Sequence, residues 1–298
     1  MSSLAERTDL PAVVVVAHDK PGQLRRLVDA LDPLPVFLHV DAGTDDRTHA
    51  AMTDGLPARV RLLPRLAAGW ARFAVVEAEL LGYRTALEQT QAKHVLLATG
   101  ADYPLVDTAR LVERLDGTPD TSYAEVRSLP MAEWGPFGGM DRLWLRNTVW
   151  RRHRLAWPVP RRIPRELAPA GGAQTKILTR RHAQLVLDVV DDRPDLLAFF
   201  RRCWTPDEVM VPTLLNSPAF GADWAVQGGP GPHPWYIDWG DGPAKNPRWL
   251  GLDDLPALRG ATVRPGLPAL FARKFAEDSE ALCTAVDAEL RRTAQDAA

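Results

Sequence analysis

Asp207 and Glu208 are two adjacent carboxylates at what reads as the start of a helix. They stand in the run Cys203-Trp204-Thr205-Pro206-Asp207-Glu208-Val209-Met210-Val211-Pro212-Thr213-Leu214-Leu215. The run predicts a helix start, with Thr205 as N-cap, Pro206 at the first helical position and an acidic first turn. Val209, Met210, Leu214 and Leu215 then carry the helix into a core. A helix that opens into a core with a carboxylate at its mouth can hold that carboxylate rigidly, as a group that works on a ligand must be held. The competing reading is that Asp207 and Glu208 only complement the helix dipole, at about 0.3–1 kcal/mol each. Asp207 is expected to cap or bond locally rather than to catalyse.

Other polar residues fall at the ends of apolar runs. His18 closes Ala12–Ala17, Asp41 closes Val36–Val40, and Asp102 follows His94–Thr99. Residues at the carboxyl ends of strands are where open α/β sheets bind ligands. Asp102 has two readings, orienting a bound hydroxyl or capping the turn at Tyr103-Pro104. A separate set, His18, Asp19, His39, Asp41, Asp45, Asp46 and His49, suggests a metal-dependent hydrolase. It lacks any His-x-His or His-Glu-x-x-His unit, which argues against that chemistry.

The elements that must position these groups alternate. Ala12–Ala17 is a β-branched run of the kind buried on both faces. Leu24, Leu27, Val28 and Leu31 follow at helical spacing, and Val36–Val40 is the next strand. Strand, helix, strand within thirty residues is a βαβ unit and predicts a parallel sheet with a right-handed crossover. Val60–Leu63 predicts a third strand, and a long helix through Val75–Leu87 starts near Trp70 and Arg72. His94–Thr99 predicts a fourth strand, and Leu111, Val112 and Leu115 mark a short helix. Further strands are expected at Ser122–Val126, Gly171–Thr179, Trp224–Val226 and Trp235–Trp239. Helices are expected at Arg180–Val190, Asp195–Arg202 and Asp253–Leu258, and from Phe275 to the C-terminus. Pro130–Pro169 breaks the pattern and holds Trp134, Trp144, Trp150 and Trp157 among many arginines. A stretch that long without regular structure is usually functional or mobile. Its tryptophans either stack on sugars and cations or pin the loop to the core.

The 298 residues carry a formal net charge of −2 and are 46% hydrophobic, as in a globular protein. Nothing is strongly basic, so no nucleic-acid partner is expected. Cys203 and Cys283 give neither a disulfide framework nor a zinc pattern. The polar Met1–Pro11 lacks the apolar core of a signal peptide, and no run approaches the ~18 apolar residues of a membrane span. These features predict a cytoplasmic protein.

Seven motifs in order resemble the core-2/I-branching N-acetylglucosaminyltransferase and peptide O-xylosyltransferase family, glycosyltransferase family 14. They are His39-Val40-Asp41, the Trp70–Leu80 helix, Gly100-Ala101-Asp102-Tyr103-Pro104-Leu105, Gly171–Thr179, Pro206-Asp207-Glu208, Tyr236-Ile237-Asp238-Trp239 and Leu270-Phe271-Ala272-Arg273-Lys274-Phe275. Together they span roughly Ala12 to Phe275.

The resemblance implies one α/β domain of the GT-A type over residues 1–298, with a Rossmann-like, mostly parallel sheet flanked by helices. About 12–128 would bind the nucleotide sugar, about 129–276 the acceptor, and 277–298 would form a C-terminal helix. It implies inverting transfer of N-acetylglucosamine or xylose from a UDP-sugar, with no cofactor and no divalent metal. Glu208 matches the family's general base and Lys274 its diphosphate lysine. Arg248 and Arg273 would add positive charge, while His18 and Asp41 fall where the family binds the nucleoside. Asp102, Trp235 and Trp239 would face the acceptor, which could be a carbohydrate, a natural product or a peptide. The sequence has no Asp-x-Asp to hold a metal, so fixed cations would have to meet the leaving diphosphate. The family's animal members carry a membrane anchor and disulfides, and this chain has neither. That predicts a soluble, bacterial-type relative. Two other readings stay open, a catalytically inactive sugar- or nucleotide-binding relative and the metal-dependent hydrolase.

Overall fold

A computed structural model describes residues 4–69, 71–150, 153–222, 232–240 and 246–291. Regular structure opens with β1 (Ala12–Ala17), α1 (Pro21–Ala30), β2 (Val36–Val40), α2 (Asp46–Thr53) and β3 (Val60–Leu62). α3 (Ala74–Gln89), β4 (His94–Thr99), β5 (Asp102–Pro104) and α4 (Thr108–Asp116) follow. Next come β6 (Arg127–Ser128), α5 (Asp141–Trp144), β7 (Leu145–Trp150), β8 (His153–Pro160), β9 (Ala170–Gly171) and β10 (Lys176–Thr179). α6 (Arg180–Asp192), α7 (Pro194–Phe200) and α8 (Pro206–Asn216) are consecutive helices. β11 (Trp235–Ile237), α9 (Leu255–Arg259), β12 (Thr262–Arg264), β13 (Leu267–Pro268), β14 (Phe271–Arg273) and α10 (Glu280–Glu289) complete the order.

The central sheet runs β10-β4-β1-β2-β3. β1 pairs in parallel with β2 and β4, and β2 with β3, while β10 closes the edge antiparallel to β4. This is the mostly parallel α/β sheet of the GT-A type that was expected. Alternate side chains of β1 serve opposite faces, as the two-residue period of a strand requires. Val14 joins α3, α6 and α8 in one core, and Val13 and Val15 join α1 and α4 in another. A Cβ on Gly82 would lie 2.3 Å from Val14 Cγ1, so the glycine lets α3 settle onto the sheet. A smaller sheet, β11-β14-β5, stands beside the third core, where Tyr103 and Phe275 pack with α9 and α10.

Several expectations are corrected. No strand forms at Ser122–Val126, where a single bridge joins Tyr123 to Ile177. Gly171–Thr179 is two strands with a break, because β9 pairs with β6 and β10 with β4. Pro130–Pro169 is not irregular throughout; β7 and β8 form an antiparallel hairpin within it. The long helix begins at Ala74, and Trp70 and Trp224–Val226 lie outside the described residues. Cys203 and Cys283 are buried thiols, not paired. No helix among the described residues is long and apolar enough to cross a membrane.

Candidate active site

α8 begins at Pro206 with Thr205 at the N-cap position as expected, but the Thr205 side chain does not cap the helix. Thr205 adopts the left-handed conformation, φ 43, and makes no capping hydrogen bond. Its Oγ1 instead accepts from Arg142 Nη1 at 2.6 Å. The same nitrogen donates to Glu208 Oε2. The Arg142 guanidinium lies 3.7 Å from the centroid of the Trp134 ring, so it is held from a third side. Glu208 retains 36% of its side-chain exposure while so held. It is a carboxylate fixed in place and open to a ligand, which is what preorganised proton transfer requires.

The backbone of Glu208 is fixed too, for a reason readable four residues on. Pro212 has no N–H, so the Glu208 carbonyl lacks its usual helical partner. Gly172 N–H takes that carbonyl at 2.9 Å. A Cβ on Gly172 would lie 1.8 Å from the Glu125 carbonyl oxygen, so the approach needs a glycine. One turn later, Thr213 Oγ1 donates to the Ala170 carbonyl at 3.0 Å and accepts from its N–H. α8 is thus strapped to β9 along its length.

Behind Glu208 the charges are buried. Lys176 of β10 and Glu79 of α3 form an ion pair of 2.9 Å, both nearly inaccessible, and Glu79 also accepts from Tyr83 Oη at 2.8 Å. Asp207 points inward, with Oδ1 lacking a hydrogen-bond partner. Burial first, then the charge of Glu208, pushes the Asp207 carboxyl up to about 7, against the pull of Lys176. Glu125 is raised as well, by burial first; Arg127 opposes this, and Glu208 adds to it.

The residues expected on the donor side are not equivalent. Asp41 stands just past β2 and accepts from Gly43 N–H at 2.6 Å and Gly69 N–H at 2.8 Å, tying two loops over the sheet edge. His18 has a side chain 76% exposed, with Asp19 at 3.7 Å. Arg273 turns inward, its Nε 3.5 Å from Asp102 Oδ1. Lys274 donates to Asn246 Oδ1 at 3.4 Å and lies 5.3 Å over the Trp249 ring. Burial, then the Arg273 charge, holds the Lys274 ammonium below its ordinary range. Arg248 is bound by both Asp238 and Asp254, at 3.2 Å through Nε and 3.1 Å through Nη1. Two carboxylates already neutralise it, so in this conformation it is not a spare cation for a diphosphate.

On the acceptor side two readings change. Asp102 is fully buried and accepts from Thr99 N–H at 2.6 Å, so of its two readings the turn-holding one fits, and it offers nothing to an acceptor here. Trp235 is buried as well, stacked between His233 and Phe271 at 4.9 and 4.8 Å, with no free face. Trp239 is 52% exposed and remains available to stack. A cavity of about 310 Å³ near Arg146, Arg201 and Arg202 opens between the hairpin and the chain leading into α8.

The set His18, Asp19, His39, Asp41, Asp45, Asp46 and His49 does not converge. His39 is buried and its Nε2 accepts from Leu66 N–H, while Asp45 caps α2 through Thr48 N–H. No group of three candidate ligands that could hold a metal occurs among the described residues.

Sequence reading missed Arg142, Lys20, Trp249 and Glu125. Arg142 lies in the stretch that gave no periodic signal, and Trp134, expected there to stack on a cation or pin the loop, carries the Arg142 guanidinium on its ring. The proline pair 206/212 around Glu208 was a usable signal, since Pro212 announces an orphaned Glu208 carbonyl.

The sequence model of the Core-2/I-Branching enzyme family matches residues 23–258. Xylosyltransferase 1 of Homo sapiens and that of Pan troglodytes are each 28% identical over 218 residues, 70% of this chain and 22% of each relative. The chain thus spans about a fifth of the length of these curated relatives. A Bacillus anthracis structure described as a glucose-1-phosphate thymidylyltransferase in complex with a sucrose aligns with 59% of this chain and 74% of that one. Its identity is 9% and its TM-score 0.30, too slight a likeness to bear on the fold. The match to the family model extends over well more than half the chain, and the chain belongs to the Core-2/I-Branching enzyme family of glycosyltransferases.

Proposed function

We propose that this protein is an inverting glycosyltransferase that moves a sugar, N-acetylglucosamine or xylose, from a UDP-sugar to a hydroxyl acceptor without a divalent metal. The carrying observation is Glu208, exposed on one side yet fixed by Arg142, by its own helix and by Gly172 N–H. Glu208 accepts the proton of the acceptor hydroxyl as its oxygen attacks the anomeric carbon from the face opposite UDP. Arg142 keeps the carboxylate aimed. The bond to the diphosphate breaks as the glycosidic bond forms, and the negative charge left on UDP is met by Lys274. Asp41 and His18 sit at the sheet edge where a nucleoside would lie. Trp239 is the aromatic face open to an acceptor carbohydrate or peptide.

UDP release from a panel of UDP-sugars, with and without EDTA, tests this reading. Turnover that survives EDTA supports it, and complete loss in EDTA defeats the metal-independent part. Glu208→Gln should abolish transfer while leaving UDP binding intact; undiminished turnover would remove Glu208 as base. A chain that binds UDP yet releases none from any donor would be the non-catalytic relative instead.

A further inference from the structure

The donor reading leaves one cation, Lys274, to meet a diphosphate that carries more than one charge. In a parallel α/β sheet the natural helper is the start of the helix after β1, where free N–H groups face the ligand. Here that place is taken. Glu277 reaches across from just before α10 and accepts from Gly22 N–H at 2.9 Å and Gln23 N–H at 3.2 Å. A Cβ on Gly22 would lie 2.5 Å from Glu277 Oε1, so the carboxylate is seated closely. A phosphate cannot use amides that already hold a carboxylate.

The residue just before that helix offers an alternative. Lys20 has φ 59, left-handed and unfavourable for a side chain of its kind, so packing must hold it there. The Lys20 ammonium lies 4.7 Å from the centroid of the Trp249 ring, and the Lys274 ammonium lies 5.3 Å from the same centroid. One indole therefore gathers two ammonium groups from opposite ends of the chain, which their mutual repulsion would otherwise separate. Lys274 forms no ion pair with a carboxylate among the described residues. Among the described residues Lys20 forms an ion pair only with its neighbour Asp19, a partially exposed contact that an anion can displace.

We propose that Lys20 is a second ligand of the donor diphosphate, and that Trp249 is the platform that brings Lys20 and Lys274 together. The assignment rests on the donor reading above, which supplies only Lys274. Lys20 leaves Asp19 when the nucleotide enters and takes one phosphate while Lys274 takes the other. No bond is made or broken in this step.

The test is calorimetric titration of the full chain with UDP and with uridine. Lys20→Asn removes the charge and places at φ 59 the residue type that tolerates it best, so a folding defect is not expected. UDP should bind at least tenfold more weakly to Lys20→Asn, uridine should bind as to the wild type, and Lys20→Arg should restore most of the UDP affinity. UDP affinity within threefold of wild type in Lys20→Asn overturns the assignment, all the more if Lys274→Met loses UDP in parallel. An equal loss of uridine and UDP also overturns it, because the defect would then be structural. Wild-type protein that binds no UDP overturns the donor reading itself, and this assignment with it.

Discussion

The starts of α1 and α8 share a backbone and differ in charge. Lys20-Pro21 and Thr205-Pro206 each place a non-glycine residue in the left-handed region, φ 59 and φ 43, directly before a proline at the first helical position. Neither preceding residue caps its helix. In α1 the first-turn amides are satisfied by Glu277, far away in sequence, and a cation stands at the mouth. In α8 the acids belong to the turn itself, and a distant arginine, Arg142, comes to them. One local fold thus presents positive charge at one helix and negative charge at the other. The residues at the helix start itself decide which, and the partner brought from elsewhere in the chain carries the opposite charge.

The sharpest way to break this contrast is Glu208→Gln, which keeps the shape of the α8 mouth and removes its charge. Transfer should fall by about 10²–10⁴-fold, with UDP affinity unchanged, by steady-state kinetics and titration. Next is the buried pair beneath α8. Lys176→Met strands Glu79 in the core and should cost about 3–5 kcal/mol in urea unfolding. Such a loss would mark α8 as a helix that packs against internal charge.

A pH series sharpens the comparison further. Asp207 holds its proton up to about 7 when folded and has an ordinary value of 3.8, so between those values the folded state binds the proton that the unfolded state has released. Its contribution to stability therefore falls as pH rises from about 4 to about 7. His39, His94, His182 and His233 are held below their ordinary range by burial, and their contributions rise with pH below 6.5. Those four are unchanged in Asp207→Asn. The thermal midpoint of that variant, relative to wild type, should climb across pH 4.5 to 7.5; a constant difference would contradict the burial argument. The smallest effect belongs to α1. Glu277→Ala frees two amides to water and should cost about 1 kcal/mol, measured by thermal unfolding.

Much of the parallel sheet was legible in the sequence. β1, β2 and β4 are apolar runs bounded by turn residues, and their length and spacing leave few alternatives to a βαβ arrangement. The short strands were legible only in part. β3 and β11 form within the expected Val60–Leu63 and Trp235–Trp239, but Tyr123 makes one bridge where a strand was expected, and β5 and β14 were not anticipated as strands. Asp102–Pro104 and Phe271–Arg273 are too short for a two-residue period to announce them. The hairpin of β7 and β8 was hidden for a different reason. Its prolines and arginines mask the two-residue alternation, although Leu155, Trp157 and Val159 do alternate and are exposed.

Taken alone, the sequence determined where helices start and which strands are buried on both faces. Proline fixes φ, and apolar period follows backbone geometry; both act within a few residues. It placed Glu208 in the first turn of a helix and, through Pro212, left that residue's carbonyl in need of a partner. Only the tertiary structure decided who the partners are: Gly172 and Arg142 for Glu208, Glu277 for α1, Trp249 for two lysines. It also sealed Asp102 and Trp235 away from any acceptor and committed Arg248 to two aspartates. Such pairings join residues distant in sequence, and they depend on how whole layers pack, which no local pattern encodes.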